Sequence, residues 1–375
     1  MLKGIHLTLM IGPAVPAPVS REVLEALTSI EVTTAAGQAS GFQLSFALSN
    51  QSPLHTIFLL SGGSAIPLVR VLIVVTVNGA PEVLMDGVMT HHEVAPGTAP
   101  GQSTLTVTGE DLSRVMDYID FSGIPYPAMP PEARVLLALA KYAFLGIVPT
   151  VIPSVLMDIP IPVRHIPIQQ GTDLAYIKCL AEEVGYVFYV EPGPEPGMSM
   201  GYWGPEIKLG MPQPALNINM DAHTNVESLR FTFDTDERKM PFLLIQEPTT
   251  KAPIPIPVLD ITPLNPPLGL IPPIPKGIEP IVGAAKYSPL RAALIGLAKA
   301  AKKADAVKGT GSLDVLRYGR VLKARRLVGV RGAGPAFDGL YYVKSVTHHI
   351  KRGEYKQDFT LIRNGLVSTL PTVTP

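Results

Sequence analysis

Eight histidines, one cysteine and a scatter of carboxylates are the residues of this chain that could do chemistry. His91-His92 and His348-His349 are the adjacent pairs that suggest a metal ion. Both lie in strand-like sequence, where neighbours point to opposite faces, so neither pair can easily chelate one ion. No HExxH or Cys/His spacing accompanies them, and neither a metal nor another cofactor is expected. Cys179 stands alone, which rules out an internal disulfide framework and a multi-thiolate site. It falls in a strongly helical stretch, where a buried, inert thiol is expected. Triad members need not be close in sequence, but no nucleophile elbow is read, and no short segment joins a nucleophile to a base and an oxyanion loop. Glu182-Glu183 on a helix, and Asp234, Asp236 and Glu237 in a loop, are the carboxylates that could pair for glycoside cleavage; solvated acidic faces are the reading adopted here. Gly332-Ala333-Gly334 and Gly309-Thr310-Gly311 lack the P-loop lysine and the dinucleotide spacing. The expectation is a chain with no catalytic, cofactor-binding or metal residues.

The elements that would carry these groups are mostly strands. Proline and glycine number 39 and 33 in 375 residues, which favours many turns over long helices. The length predicts two or three domains. Strand signals recur at Ile30 to Thr34, Gly41 to Leu48, Val69 to Val77, Glu82 to His91 and Ser103 to Thr108. Phe42, Leu44, Phe46 and Leu48 alternate with small or polar residues, the period of a half-buried strand. Asn78-Gly79 between two β-branched runs signals a hairpin. Ser20 is placed to cap a short helix to Ala26, Gly109-Glu110-Asp111-Leu112 leads into another, and Pro130-Pro131-Glu132 opens a third over Ala133 to Leu145.

From Asp173 to Gly185, Leu174, Ile177, Leu180, Ala181 and Val184 share one helical face, with Thr172 to cap the front and Gly185 the back. A strand over Tyr186 to Val190 follows. Between Pro248 and Pro280, eleven prolines fall in 33 residues among Ile, Leu and Val. Such a passage favours extended backbone and cannot carry a central strand; it is read as an ordered arm or inserted loop. An Ala-rich helix is predicted over Leu290 to Ala304, and strands return over Asp314 to Asn364, with a turn at Phe337-Asp338-Gly339 and a hairpin tip at Lys351 to Glu354.

Charge balances at 31 basic against 31 acidic residues. A neutral surface resists self-association little and argues against a nucleic-acid binder. Lys299, Lys302, Lys303, Lys308, Arg317, Arg320, Lys323, Arg325, Arg326 and Arg331 nevertheless face only Asp305 and Asp314 in one segment. They form either a basic surface toward a lumen, a nucleic acid or an acidic subunit, or a solvated face. The opening residues loosely imitate a secretion signal, but His6 interrupts the run. Lys141, Pro149, Pro153, Asp158 and Pro160 break the apolar run from Ala133 to Val163, so no membrane insertion is expected.

Three stretches carry a resemblance. They are Val83 to Thr90 with Ser103 to Leu112 (STLTVTGEDL), Gln169 to Val190 (QQGTDLAYIKCLAEEVGYVFYV), and Phe337 to His348 with Arg352 to Tyr355 and Phe359 to Asn364. Tyr202 to Pro205 and Asn225 to Leu229 add weaker support. Together they resemble the tail-hub family of contractile injection machines, the phage late control protein D group, which includes the hub portion of type VI secretion spikes. The likeness runs over about residues 20 to 240 and 311 to 365; residues 241 to 310 depart from the pattern.

The resemblance implies a mainly β chain with α+β parts: two small tail-tube-like β-barrels, a small α+β domain and a proline-rich insertion. The expected layout is a first barrel at 1–115, a helical connecting region at 116–165, and an α+β domain with strands leading to the second barrel at 166–240. The proline-rich arm and basic helix follow at 241–310, then the closing strands of the second barrel at 311–375. It further implies a structural, non-enzymatic homotrimer whose barrels make a pseudo-sixfold ring. That ring would join a hexameric tail tube to a spike carried on a separate chain, among other baseplate subunits. Nucleic acid or protein cargo would pass through the lumen, and the particle, a virion or phage-tail-like injection particle, would assemble in the cytoplasm. A tail-associated cell-wall hydrolase and a free-standing binding module are the alternative readings.

Overall fold

The computed structural model describes residues 4–48, 54, 68–97, 103–154, 166–234, 240–246, 253–257, 266–274, 277–280, 295–297, 300 and 305–369. Strand follows strand through its first third: β1 (Ile5–Gly12), β2 (Ala17–Pro18), helix α1 (Arg21–Ala26), then β3 (Leu27–Ala35), β4 (Gly41–Leu48), β5 (Arg70–Val77), β6 (Ala80–Ala95) and β7 (Ser103–Asp111). The opening run that loosely imitates a secretion signal is β1, paired along its whole length with β5. β5 is buried at seven of its eight positions, as a β-branched run flanked by two strands should be. Asn78 and Gly79 take φ of 51° and 83°, both left-handed, as a two-residue hairpin between β5 and β6 requires. Ser20 occupies the N-cap of α1, although its side chain makes no capping bond.

Residues 112–204 then build a second core. A 3-10 turn (Leu112–Asp117) is capped by Asp111, whose carboxylate accepts from Ser113 N and Ser40 N. Helix α2 (Pro131–Ala140), with proline in its first turn, leads through a second 3-10 turn to β8 (Ile147–Val151). Helix α3 (Asp173–Glu183) opens on Thr172, which accepts from Ala175 N. It closes with Gly185 N on Glu182 O and Tyr186 N on Ala181 O, the paired bonds of a Schellman end around a left-handed glycine. β9 (Val187–Pro192) and β10 (Ser199–Gly204) complete a three-stranded sheet with β10 central and β8 parallel to it. Val135, Leu139, Leu145, Ile177, Leu180 and Trp203 fill the space between helices and sheet.

The chain continues through β11 (Gln213–Asn217), β12 (Ser228–Phe233), β13 (Met240–Gln246), β14 (Pro253–Pro257), β15 (Gly269–Ile271), β16 (Ile278–Pro280) and β17 (Val307–Asp314). Short helix α4 (Val315–Tyr318) precedes β18 (Leu327–Arg331), β19 (Gly339–Lys351), β20 (Glu354–Arg363) and β21 (Leu366–Ser368). Among the described residues, thirteen strands form one hydrogen-bonded sheet, ordered β12-β17-β20-β19-β3-β4-β7-β6-β5-β1-β2, with β18 on β19 and β11 on β18. The early and late strands meet at β3 and β19, which pair antiparallel from Ser29–Lys351 to Ala35–Ser345. One core runs beneath both sets, from Leu44, Phe46 and Val71 to Tyr341, Val346 and Leu361. The fold is thus mainly β with a few helices, as the sequence implied.

Proline-rich sequence enters a small separate sheet ordered β14-β13-β16. β14 reads Pro-Ile-Pro-Ile-Pro and lies at an edge. Its antiparallel ladder needs an N–H from alternate residues, which only Ile254 and Ile256 can supply, so the proline nitrogens face outward. Most of the other residues between 247 and 294 lie outside the described ones. Of the expected Ala-rich helix, residues 295–297 and 300 are helical and the rest lie outside as well.

A buried ion pair locks the 112–204 unit to the sheet. Arg70 on β5 donates through Nε and Nη2 to both carboxylate oxygens of Asp86 on β6, at 2.8 and 2.7 Å. Nη1 donates to Ala14 O at 2.7 Å and Nη2 to Gly197 O at 3.0 Å, while Ser199 donates to Asp86 at 2.9 Å. Asp86→Ala leaves a desolvated guanidinium, and the expected loss is about 3–5 kcal/mol in urea unfolding. The double change Arg70→Met with Asp86→Leu is expected to cost far less; equal losses would show that the ionic pairing itself is irrelevant.

Candidate interaction surface

The residues singled out for chemistry are dispersed. His91 and Glu93 are exposed on β6, and His92 is half-buried there. His348 is buried and His349 faces solvent beside Asp358 and Glu31, as opposite strand faces require. Among the described residues, no group of three or more His, Cys, Asp or Glu could hold a metal ion. Glu182 is exposed and Glu183 half-buried on α3, and Asp234 is exposed just after β12; Asp236 and Glu237 lie outside the described residues. Cys179 is exposed, against the expectation of a buried thiol. The buried stripe of α3 runs through Asp173, Tyr176, Ile177, Leu180 and Ala181, which turns position 179 to solvent.

A GxSxG string does occur, Gly197-Met198-Ser199-Met200-Gly201. It is a strand entry and not the strand-to-helix turn of an elbow. Ser199 is 2% exposed and spends its hydroxyl on Asp86. The glycines at 309 and 311 are packing positions. A Cβ at 309 would stand 2.8 Å from the Phe231 ring, and one at 311 2.3 Å from Ser228 O.

Buried charge clusters mark the seams, and most escape sequence reading because their members are far apart in the chain. Asp173, fully buried at the start of α3, accepts from Lys141, Tyr142 and Gln169 at 2.8–3.0 Å. Burial first, then that hydrogen bond, pushes the Tyr142 hydroxyl up from its ordinary value. Lys208 pairs with Asp305 at 3.1 Å and lies over the Tyr342 ring; burial raises the Asp305 carboxyl despite the lysine. Arg363 has carbonyl partners instead of a carboxylate: Gly365 O, Asp338 O and Ala336 O, at 2.7–3.0 Å. The available signal was a charged residue inside an apolar strand run, as at Arg70, Asp86 and Arg363.

His348 belongs to another such cluster. Tyr355 Oη lies 2.8 Å and Gln357 Nε2 3.2 Å from its Nδ1. Gln357 also grips Leu322 through both backbone groups, at 2.8 and 2.9 Å. An amide nitrogen only donates, so Nδ1 is an acceptor and the ring is neutral. Burial, with a contribution from His349, holds its pKa at about 3.

The basic segment is described only in part. Lys299, Lys302 and Lys303 lie outside the described residues. Lys323 pairs with Glu82 at 2.6 Å, and Arg325 covers the Tyr189 ring and donates to Ala35 O. Lys308, Arg317, Arg320, Arg326 and Arg331 are exposed. A cavity of about 330 Å³, lined by Glu82, Glu191, Lys323, Arg326 and His348 among others, sits where β6, the end of β9 and the 321–326 loop meet. Leu136 and Leu137 on α2, with Phe144 and Val148 after it, are exposed apolar side chains of the helical unit. These features describe seams and contact faces.

That architecture is the fold of phage tail proteins and of a type VI secretion component. A tail protein from Neisseria meningitidis MC58 aligns over 97% of this chain and 98% of its own, with a TM-score of 0.63 at 13% identity. The 43 kDa tail protein of prophage MuSo2 from Shewanella oneidensis aligns over 96% and 98%, at 0.61 and 12% identity. An E. coli type VI secretion component, described as similar in structure to the T4 bacteriophage tail proteins gp27 and gp5, covers 93% of this chain and 77% of its own, at 0.52 and 11%. No protein-family model and no curated protein matches the chain. No helix among the described residues is long and apolar enough to cross a membrane.

Unfolding frees the His348 ring, which then binds a proton near its ordinary pKa of 6.5, whereas the folded ring does not until about pH 3. The unfolded state therefore holds more protons in that window, and stability falls as pH drops below about 6.5. The expected slope from this group is up to about 1.4 kcal/mol per pH unit. Urea unfolding at pH 7 and pH 5 should show it for the wild type and a flatter response for His348→Gln; equal slopes would refute the assignment.

Proposed function

We propose that this chain is a structural, non-enzymatic hub of a contractile phage tail or phage-tail-like injection particle. The observation that carries the reading is the fold shared with phage tail proteins over nearly the whole chain, both sets of sheet strands included. Its buried polar groups support it, since Asp86, Ser199, Asp173, Lys208 and His348 are all engaged in packing seams. In this reading the protein is a homotrimer of the late control protein D type. Barrels at 1–115 and 311–375, the latter joined by strands before residue 240, form the ring between tube and spike. A spike protein, the tail tube and other baseplate subunits are its partners, and nucleic acid or protein passes through the lumen. The exposed face of α2 suits contact with a neighbouring baseplate subunit. Assembly takes place in the cytoplasm before incorporation into the particle.

Sedimentation of a native host lysate, with mass spectrometry and electron microscopy of the pellet, tests the role. The chain is expected at low copy in sheath-and-tube particles. Particles that pellet without it, leaving a small soluble species behind, would remove the tail role. Sedimentation equilibrium of the purified chain is expected to give about three times the 40.1 kDa chain mass; a monomer throughout would remove the trimer.

A further inference from the structure

The cavity where β6, the end of β9 and the 321–326 loop meet holds charged groups that the packing does not use. Four charged side chains line it, two of each sign: Glu82, Glu191, Lys323 and Arg326. Glu82 and Lys323 answer each other at 2.6 Å. Arg326, exposed on the loop, and Glu191, half-buried on β9, make no ion pair and no side-chain hydrogen bond among the described residues, either with each other or with a neighbour. A cation and an anion therefore border one small space without meeting.

The same space has a polar floor. His348 lines it while being only 4% exposed. Its tautomer is fixed from behind. Gln357 Oε1 accepts from Leu322 N, and Gln357 Nε2 donates to Leu322 O, so the amide cannot be turned round. Nδ1 then accepts from that amide, and the neutral ring carries its hydrogen on Nε2. Burial keeps the ring neutral down to about pH 3. Nε2 has no protein partner among the described residues, and it is not one of the polar atoms sealed away from open space. Its N–H opens on the cavity that the ring lines. A buried donor placed so calls for an acceptor from outside the chain.

We infer that this cavity is a binding site for a free amino acid with an aliphatic side chain. The ligand's carboxylate accepts from His348 Nε2 and faces the Arg326 guanidinium, its ammonium faces Glu191, and its side chain lies against Val83, Leu84 and Met200. A zwitterion matches a lining whose own charges cancel, whereas a simple anion would leave Glu191 without a counter-charge. The volume of about 330 Å³ sits at the lower end of the range of about 300–1,000 Å³ for small-molecule sites, which suits a ligand of this size. Such a guest touches β6, β9, β19 and the 321–326 loop at once, and so fastens the 112–204 unit to the late strands. The site needs no partner chain and does not depend on the proposed hub role.

Calorimetric titration of the purified full chain with L-leucine, N-acetyl-L-leucine and L-leucinamide tests both poles of the site. Acetylation removes the ammonium, and the amide removes the carboxylate. L-leucine is expected to bind, and each blocked analogue to bind at least tenfold more weakly. L-glutamate and L-lysine, each with one charge that the lining does not match, are expected to be weaker by a similar factor. Arg326→Gln and Glu191→Gln are each expected to weaken L-leucine at least tenfold, with circular dichroism unchanged. Ligand bound to the folded state alone raises Tm, so millimolar L-leucine is expected to raise it for the wild type and not for either variant. Absence of both heat and Tm shift with L-leucine overturns the site. So does equal binding of the three leucine probes, or full binding by both variants.

Discussion

Burying the Arg70 guanidinium is affordable only because its acceptors come from three places at once. A desolvated cation costs several kcal/mol unless nearly every donor is answered. Asp86 on β6, Ala14 after β1 and Gly197 in the β9–β10 turn supply the acceptors. The β5–β6 hairpin, the exit from β1 and the seating of the 112–204 unit are therefore conditional on one another. Ser199 extends the same constraint, because the hydroxyl that completes Asp86 belongs to the strand at the centre of the smaller sheet.

Other seams follow the same logic with different chemistry. Asp173 ties α3 to the residues after α2 through Lys141 and Tyr142. Gln357 ties β20 to the 322 loop and shares His348 with Tyr355. Arg363 gathers three carbonyls from the 336–338 turn and Gly365. In each case apolar packing fills the cores, and a directional polar cluster fixes how one core is set against the next.

Local signals were legible where a short stretch of chain decides the outcome. Gly41–Leu48 is a strand with the expected alternation, Asn78-Gly79 turns the hairpin, and Thr172 and Gly185 bound α3. The family resemblance, carried by motif order, anticipated the mainly β fold and its likeness to tail proteins. Long-range choices were not legible. Nothing near Arg70 names Asp86 as its partner, and the exposure of Cys179 depends on which face of α3 meets Trp203 and its neighbours.

β14 carries a consequence of a different kind. Its prolines fall on alternate residues, and its ladder to β13 uses Ile254 and Ile256. The outward rim of that strand therefore has carbonyls but no N–H at Pro253, Pro255 and Pro257. In the language of polymer growth it is a chain stopper: a further strand arriving there finds half of each hydrogen-bonding pair missing. A protein rich in strands and without net charge is exposed to runaway edge-to-edge accretion. At this margin the sequence has removed the donors on which accretion would depend.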